Sequence, residues 1–473
     1  MNMNRRDAMK IGAVGVAAVA VSTLTGCTNA NAAPVAAATP ASAASGAKVL
    51  GTHKVVVIGG GWGGLTVAKG LKKKDKKLDV LVIEKNDTFM SCPFSNAYIG
   101  GLEGLNLGTF IHDYAQPVQA HGYGMLRSEV IGINRAAKEV HTAAGIVKYE
   151  ILVLAPGIDY DYESQFPTFS SEKIAEIKRT APAALIPGSE HVALDRMLKG
   201  MDDGDVIVTV PKGKFRCPPA PFERATMIAA YMKKEDIAGK VIILNATDEI
   251  AKGGAFKEAW KEIYNGNVVH MNFCNIDDVD TKNKTITYTQ KVPTGKKDAD
   301  GFDIMVDEKK SHKYGVLNLI PNNKSNSVIK MSGVETTSDT FGKVLMNGCS
   351  FQTKTDANVF AVGDVVGHGI PPSGQTAIWS GNQCVEEIIH RLNGKTYELP
   401  VKTTTVNAGN VCYSMVGNKP EEAIMVTHDF SWTGATINGK GNVPKGPDGK
   451  FRSSSTAKAT RDWYRGAMAD LFS

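Results

Sequence analysis

Three glycines at G-x-G-x-x-G spacing, Gly59, Gly61 and Gly64, lie between a β-branched apolar run and a helical pattern in "HKVVVIGGGWGGLTVAKGL". No other segment constrains the chain as much. The first glycine permits a tight turn, the second lets the backbone approach a pyrophosphate, and the third lets the following helix pack on the strand. A second apolar run, "LDVLVIEKN", ends in Glu84, about twenty residues beyond the loop, where a carboxylate accepts from ribose hydroxyls. A dinucleotide-binding unit is expected to begin near residue 53, with its first strand at Val55–Ile58.

A second strand and helix rhythm follows in "DVIVTV", "FERATMIAAYMKK", "KVIILNA" and "YGVLNLIP". Its turn differs. Where glycines would approach a phosphate, "PKGKFRCPPAP" supplies prolines, which have no N–H to offer. The second unit therefore keeps the plan of a nucleotide domain while a nicotinamide cofactor is disfavoured. The expected class is α/β: two Rossmann-like dinucleotide-binding domains of the disulfide-reductase type plus a C-terminal α+β interface domain. The expected divisions are 53–165 with 317–400 for the first domain, 166–316 for the second and 401–473 for the last.

Composition excludes little, because the apolar and charged fractions are those of ordinary globular proteins. The net charge of +6 is modest and partly local to "LKKKDKK", so no nucleic-acid partner is expected. Ten histidines are scattered without metal-ligand spacing, and C-x-x-C-H is missing, so neither a metal nor covalent haem is expected.

The first 27 residues read as an address. Arg5 and Arg6 precede an apolar run from Ile11 to Leu24, about 14 residues long and suited to a signal peptide rather than a bilayer span. Paired arginines suggest twin-arginine export of a protein already folded around a cofactor, and hence a periplasmic location. The run ends in "LTGC", which resembles a lipobox; Cys27 would then be lipidated and tether the chain to a membrane. Ordinary cleavage in the following alanine-rich tract is the alternative. Residues 28–52 read as a linker.

"YEILVLAPG" and "NVFAVGDV" resemble the later motifs of the two-dinucleotide-domain flavin reductases, which implies FAD, with Gly363 and Asp364 at the ribityl chain. The helix opening at "PPSGQTAIWSG" would turn the amides of Gly374, Gln375 and Thr376 toward the flavin pyrimidine.

A more specific likeness then emerges. "FMSCPFSNAYIGG", "KFRCPPAPFERA", "NGCSFQTKTDANVFAVGD", "NAGNVCYSMV" and "DWYRGAMADLFS" resemble the flavoprotein subunit of flavocytochrome c sulfide dehydrogenase, a relative of the sulfide:quinone oxidoreductases. The resemblance implies that Cys92 is joined covalently to FAD, that Cys217 and Cys349 form a redox disulfide beside the ring, and that a separate c-type cytochrome takes the electrons. A small inorganic sulfur compound would be the substrate. Hydrosulfide would open the disulfide, Cys217 carrying sulfur and Cys349 facing the flavin, with Glu223 as a candidate proton acceptor. Prolines 218, 219 and 221 would hold the Cys217 loop extended. An inert staple is the competing reading of the cysteine pair, and a surface carboxylate that of Glu223.

The seven cysteines sort accordingly, with Cys274, Cys384 and Cys412 expected as small buried thiols. Pro372 stands where the family commonly has a lysine, removing a cation near the flavin. The stretch "TYTQKVPTGKKDADGFDIMVDEKK" reads as a solvated hairpin. Three rival functions remain: a sulfide:quinone oxidoreductase seated on a membrane by "DWYRGAMADLF", an NAD(P)H-dependent disulfide reductase, and a non-catalytic flavoprotein partner of a sulfur-oxidising cytochrome system.

Overall fold

The computed structural model describes residues 48–395 and 410–473. The export segment with Cys27, most of the expected linker, and the 400/401 boundary lie outside the described residues.

Strand β1, Val49–Ile58, starts earlier than expected, inside the stretch taken for linker. Its first half is largely exposed and is held by ladder pairing, Thr52 opposite Lys148 and His53 opposite Tyr149, rather than by burial. Mixed small and polar residues gave no apolar signal there. From Val55 to Ile58 the strand is buried throughout, because parallel neighbours flank it and both faces are covered. Helix α1, Trp62–Lys74, follows the glycine turn, and strand β2, Val80–Glu84, pairs beside β1. Strand β3, Gly145–Leu154, lies on the other side of β1 and is joined at Leu152–Leu154 by the late strand Val359–Ala361. Residues far apart in sequence thus complete one sheet.

The second sheet is parallel throughout. Strand β4, Val206–Val210, pairs with Val241–Asn245 on one side and Val316–Asn318 on the other. Leu317 opposite Ile207 puts the domain boundary beyond Asn318, not at 316. Helix α2, Ala220–Lys234, and helix α3, Gly253–Tyr264, belong to this unit. The prolines do not extend the loop after β4. Pro219 is in the right-handed helical region and Pro221 occupies the first turn of α2, where a missing N–H costs nothing. The hairpin strands Thr285–Lys297 and Asp303–Lys313 project from a three-stranded antiparallel sheet, and their tip exposes Phe302, Ile304, Met305 and Val306 as well as charges.

Helix α4, Gly374–Leu392, runs back along α1, with Gly381 close to Thr66 and Gly70 close to Val385. The C-terminal unit is an antiparallel sheet opened by strand β5, Val411–Asn418, and closed by helix α5, Ser454–Phe472. The apolar face of α5 is spent on this fold. Trp463 stacks on Trp62 with centroids 6.0 Å apart, and Phe472 meets Phe89 at 5.1 Å. Among the described residues, no helix is long and apolar enough to cross a membrane.

One buried cluster pins the units together. The Arg224 guanidinium, 1 % exposed, donates to Asn96 Oδ1 at 2.9 Å, to the Ala183 carbonyl at 2.7 Å and to the Ala184 carbonyl at 2.6 Å. Truncating it would leave buried acceptors unpaired and a cavity. Arg224→Leu is expected to lower the thermal unfolding midpoint by several degrees, read by circular dichroism of the purified protein; an unchanged midpoint would show that the cluster does not hold the units.

Candidate functional site

A cavity of about 810 Å³ opens at the C-terminal ends of β1, β2 and β3, where open α/β sheets place their ligands. Its wall includes Gly59, Gly61, Glu84, Cys92, Gly363, Asp364 and Gly374. Gly61 has open space where a side chain would point, leaving its backbone accessible. Gly64 works behind the wall: a Cβ there would lie 1.9 Å from the Gly59 carbonyl oxygen, so only glycine lets α1 start so close to the turn. Glu84, at the end of β2, accepts from Gly60 N at 2.7 Å and from Asn86 N at 2.8 Å, which fixes its carboxylate beside the loop.

Asp364 enters from the other half. One of its oxygens, Oδ2, lies 2.8 Å from Arg216 Nη2, yet it accepts no aligned hydrogen bond and is buried. Such an orphaned acceptor suits a ligand hydroxyl. Burial works against the Arg216 charge, but the Asp364 carboxylate together with Cys92, Tyr160 and Cys217 outweighs it and raises the guanidinium pKa. Gly374 opens α4 against the Cys92 loop, where a Cβ would come within 2.6 Å of Pro93 Cγ. Of the three expected amide donors, Gly374 is on the wall whereas Gln375 and Thr376 are not. Thr376 instead closes a capping box with Ser373 and donates its hydroxyl to the Pro371 carbonyl at 2.6 Å. The charges, the glycines and the orphaned acceptor fit a flavin dinucleotide.

Cys217 stands at the second-domain loop in a left-handed conformation, φ 53°, which costs a non-glycine residue strain. Its N–H donates to the Pro372 carbonyl at 2.8 Å, tying the thiol loop to the start of α4. Burial pushes the thiol pKa well up, and negative charge on Cys412, Glu223 and Cys92 adds to the effect. The disulfide expected between Cys217 and Cys349 is not formed in the structure, where Cys217 is bonded to neither Cys349 nor Cys412. Cys349 sits in a tight turn closed by Asn347 N to Gln352 O at 2.9 Å, while both oxygens of Glu387, on α4, accept from Phe351 N. Strand β5 brings Cys412 close enough for its charge to act on Cys217, because β5 lies along α2: Met415 N donates to Glu223 Oε1 at 2.9 Å.

Glu223 is not a surface carboxylate. It is 8 % exposed, takes a second hydrogen bond from Asn96 Nδ2 at 3.1 Å, and has its pKa raised by burial against the opposing pull of Lys252 and these donors. A raised carboxyl pKa beside a thiol is a feature of sites that move protons. Cys274 and Cys384 are buried as expected. Cys412 and Lys252 were missed as site residues. "NVCYSMV" was among the segments that carry the family likeness, which was the available signal for Cys412; "AKGGAF" around Lys252 offered none.

Fold and site together define a flavin-dependent oxidoreductase of the disulfide-reductase architecture. The family model described as "Sulfide dehydrogenase [flavocytochrome c] flavoprotein chain, central" matches residues 191–321, and "Flavocytochrome c sulphide dehydrogenase, flavin-binding" matches 405–472. A "Pyridine nucleotide-disulphide oxidoreductase" model matches 53–178. The chain is 51 % identical over 47 residues to the sulfide dehydrogenase flavoprotein chain of Chlorobaculum thiosulfatiphilum, 10 % of this chain and 98 % of that sequence. It is 24 % identical over 326 residues to the mitochondrial sulfide:quinone oxidoreductase of Mus musculus, spanning 66 % of this chain and 65 % of that protein's length. The solved sulfide:quinone oxidoreductase of Aquifex aeolicus shares the fold at TM-score 0.65 and 16 % identity, covering 89 % of this chain and 91 % of its own. This chain belongs to the flavoprotein-chain family of flavocytochrome c sulfide dehydrogenase, and FAD is its cofactor.

Mild oxidation of the purified protein, followed by peptide mapping without reductant, is expected to yield a Cys217–Cys412 crosslink. A Cys217–Cys349 peptide in its place would restore the pairing read from the sequence.

Proposed function

We propose that this chain oxidises hydrosulfide at a Cys217–Cys412 couple beside FAD and passes the electrons singly to a c-type cytochrome. The observation that carries the reading is the convergence of Cys217, Cys412 and Glu223 at a loop stripped of phosphate-binding amides. Hydrosulfide attacks one sulfur of the oxidised couple, a persulfide forms there, and the other sulfur leaves as a thiolate. Glu223, held by Asn96 and Met415, is placed to take the proton of the entering sulfide. Transfer of the outer sulfur to a second hydrosulfide leaves both cysteines reduced, and FAD, when bound, would supply the two-electron acceptor that returns the couple to the disulfide. Arg216 and Asp364 tie the thiol loop to the flavin wall, so the two redox groups are kept at a fixed separation.

Cys92 is proposed as the covalent attachment point: "SCPFSN" carries the family likeness and the residue stands on the cavity wall. Export by the twin-arginine route to the periplasm, with Cys27 as a lipid tether, is proposed from the N-terminal sequence alone. The quinone reading is supported by the mouse and Aquifex relatives. Against it, the aromatic face of α5 is already packed on Trp62 and Phe89 and cannot also seat the chain on a membrane.

Anaerobic titration of the flavoprotein with sulfide is expected to bleach the flavin, and added c-type cytochrome to restore its colour. Faster reoxidation by a quinone would favour the quinone reading, and rapid bleaching by NADH would revive a nicotinamide site. Acid precipitation is expected to leave the yellow colour in the pellet for the natural sequence and release it for Cys92→Ala; colour retained by that variant would refute the attachment.

A further inference from the structure

A lysine reaches the proposed thiol couple. Lys252 Nζ donates to the Cys412 carbonyl at 2.9 Å, to Ser414 Oγ at 3.0 Å and to Cys412 Sγ at 3.5 Å. The ammonium comes from the second domain and ends on β5 of the C-terminal unit, so folding has to bring two units together to place it. Its backbone is left-handed, φ 61°, at the residue just ahead of Gly253 and Gly254. A glycine would take that conformation without steric cost, and two stand next to it. A lysine kept there under strain points to a task for its side chain.

The two sulfurs sit in unlike surroundings. Cys217 is half-buried beside Glu223, and charge on Cys412 disfavours charge on Cys217, with Lys252 only a minor counterweight. Cys412 receives a direct hydrogen bond from the ammonium. Charge-assisted hydrogen bonds of this kind are about twice as strong as neutral ones.

We propose that Lys252 is a catalytic residue that holds Cys412 as the thiolate released when hydrosulfide attacks Cys217, and thereby decides which sulfur carries the persulfide. This rests on the Cys217–Cys412 reading above. In the step, the hydrosulfide lone pair forms a bond to Cys217 Sγ and the Cys217–Cys412 bond breaks. Its electron pair leaves on Cys412 under the ammonium. The entering sulfur is oxidised to the persulfide level as the disulfide is reduced, and its proton stays on the terminal sulfur or passes to Glu223. No further reactant is needed.

The test uses the full-length holoprotein. In the reduced protein at pH 7, iodoacetamide is expected to alkylate Cys412 faster than Cys217, read by timed peptide mass mapping. Lys252→Met is expected to slow Cys412 by about tenfold, the loss of one hydrogen bond to a charged group, with Lys252→Arg restoring most of the rate. One equivalent of sulfide added to the oxidised protein, then trapped by alkylation, is expected to place the persulfide on Cys217 in the natural sequence and on both cysteines in Lys252→Met. Should Lys252→Met fail to fold, Lys252→Gln removes the charge while keeping a donor, and the same two readouts apply. Unchanged alkylation and trapping in the charge-free variant, with the Cys217–Cys412 crosslink still forming, overturns the role of Lys252 alone. Failure of the crosslink to form in the natural sequence overturns the couple, and this proposal with it.

Discussion

Arg224 and Glu223, adjacent at the start of α2, are both buried, and the rest of the site depends on how they are satisfied. Removing a guanidinium and a carboxylate from water costs several kcal/mol each unless their hydrogen bonds are replaced. The replacements come from every part of the molecule. Asn96 belongs to the flavin-side unit, the Ala183 and Ala184 carbonyls to the connection between domains, and the Met415 amide to the C-terminal sheet. Asn96 serves both, accepting from Arg224 and donating to Glu223, so a displacement of any unit would strand a buried charge. The network therefore sets the distance between the thiol loop, the Cys92 turn and β5, which carry Cys217, Cys92 and Cys412.

The loop after β4 illustrates how a nucleotide fold is turned to sulfur chemistry. Prolines remove the amides that would hold a pyrophosphate and at the same time start α2, which is what buries Glu223 and Arg224. The strained backbone at Cys217 aims one residue away from the regular turn, and the bond from its N–H to Pro372 fastens that residue to the helix facing the flavin cavity. Pro372, which on the sequence pattern removes a cation from the flavin surroundings, thus contributes a carbonyl to the thiol loop. Arg216, one residue before Cys217, brings a cation to the cavity wall from the opposite direction.

The C-terminal unit is an interface in the physical sense. Strand β5 meets α2, α5 lays its aromatic face on the fingerprint helix, and Arg452, paired with Glu422 in its own unit, reaches Glu258 and Glu262 on α3. Without this unit, Trp62 and Phe89 would lose apolar cover and the thiol loop would lose its neighbour Cys412. Burial and chemistry are supplied by the same residues.

By itself the sequence determined what depends on local chemistry. The spacing of Gly59, Gly61 and Gly64, the carboxylate at Glu84, the Asp364 motif and the lost phosphate loop were all legible, because each follows from a backbone requirement read over a few consecutive residues. The first half of β1 was not legible, since it is held by pairing with β3 and carries no apolar pattern. That Cys412 lies near Cys217 was not legible either. Cys349 and Cys412 both stand in short segments resembling the family, and it is the packing of β5 on α2, with Met415 bonded to Glu223, that brings Cys412 to the thiol loop. Lys252 lies about 160 residues from the sulfur it reaches, and no local pattern records such a contact, because hydrogen bonds between domains are set by where whole units settle once their buried charges are satisfied.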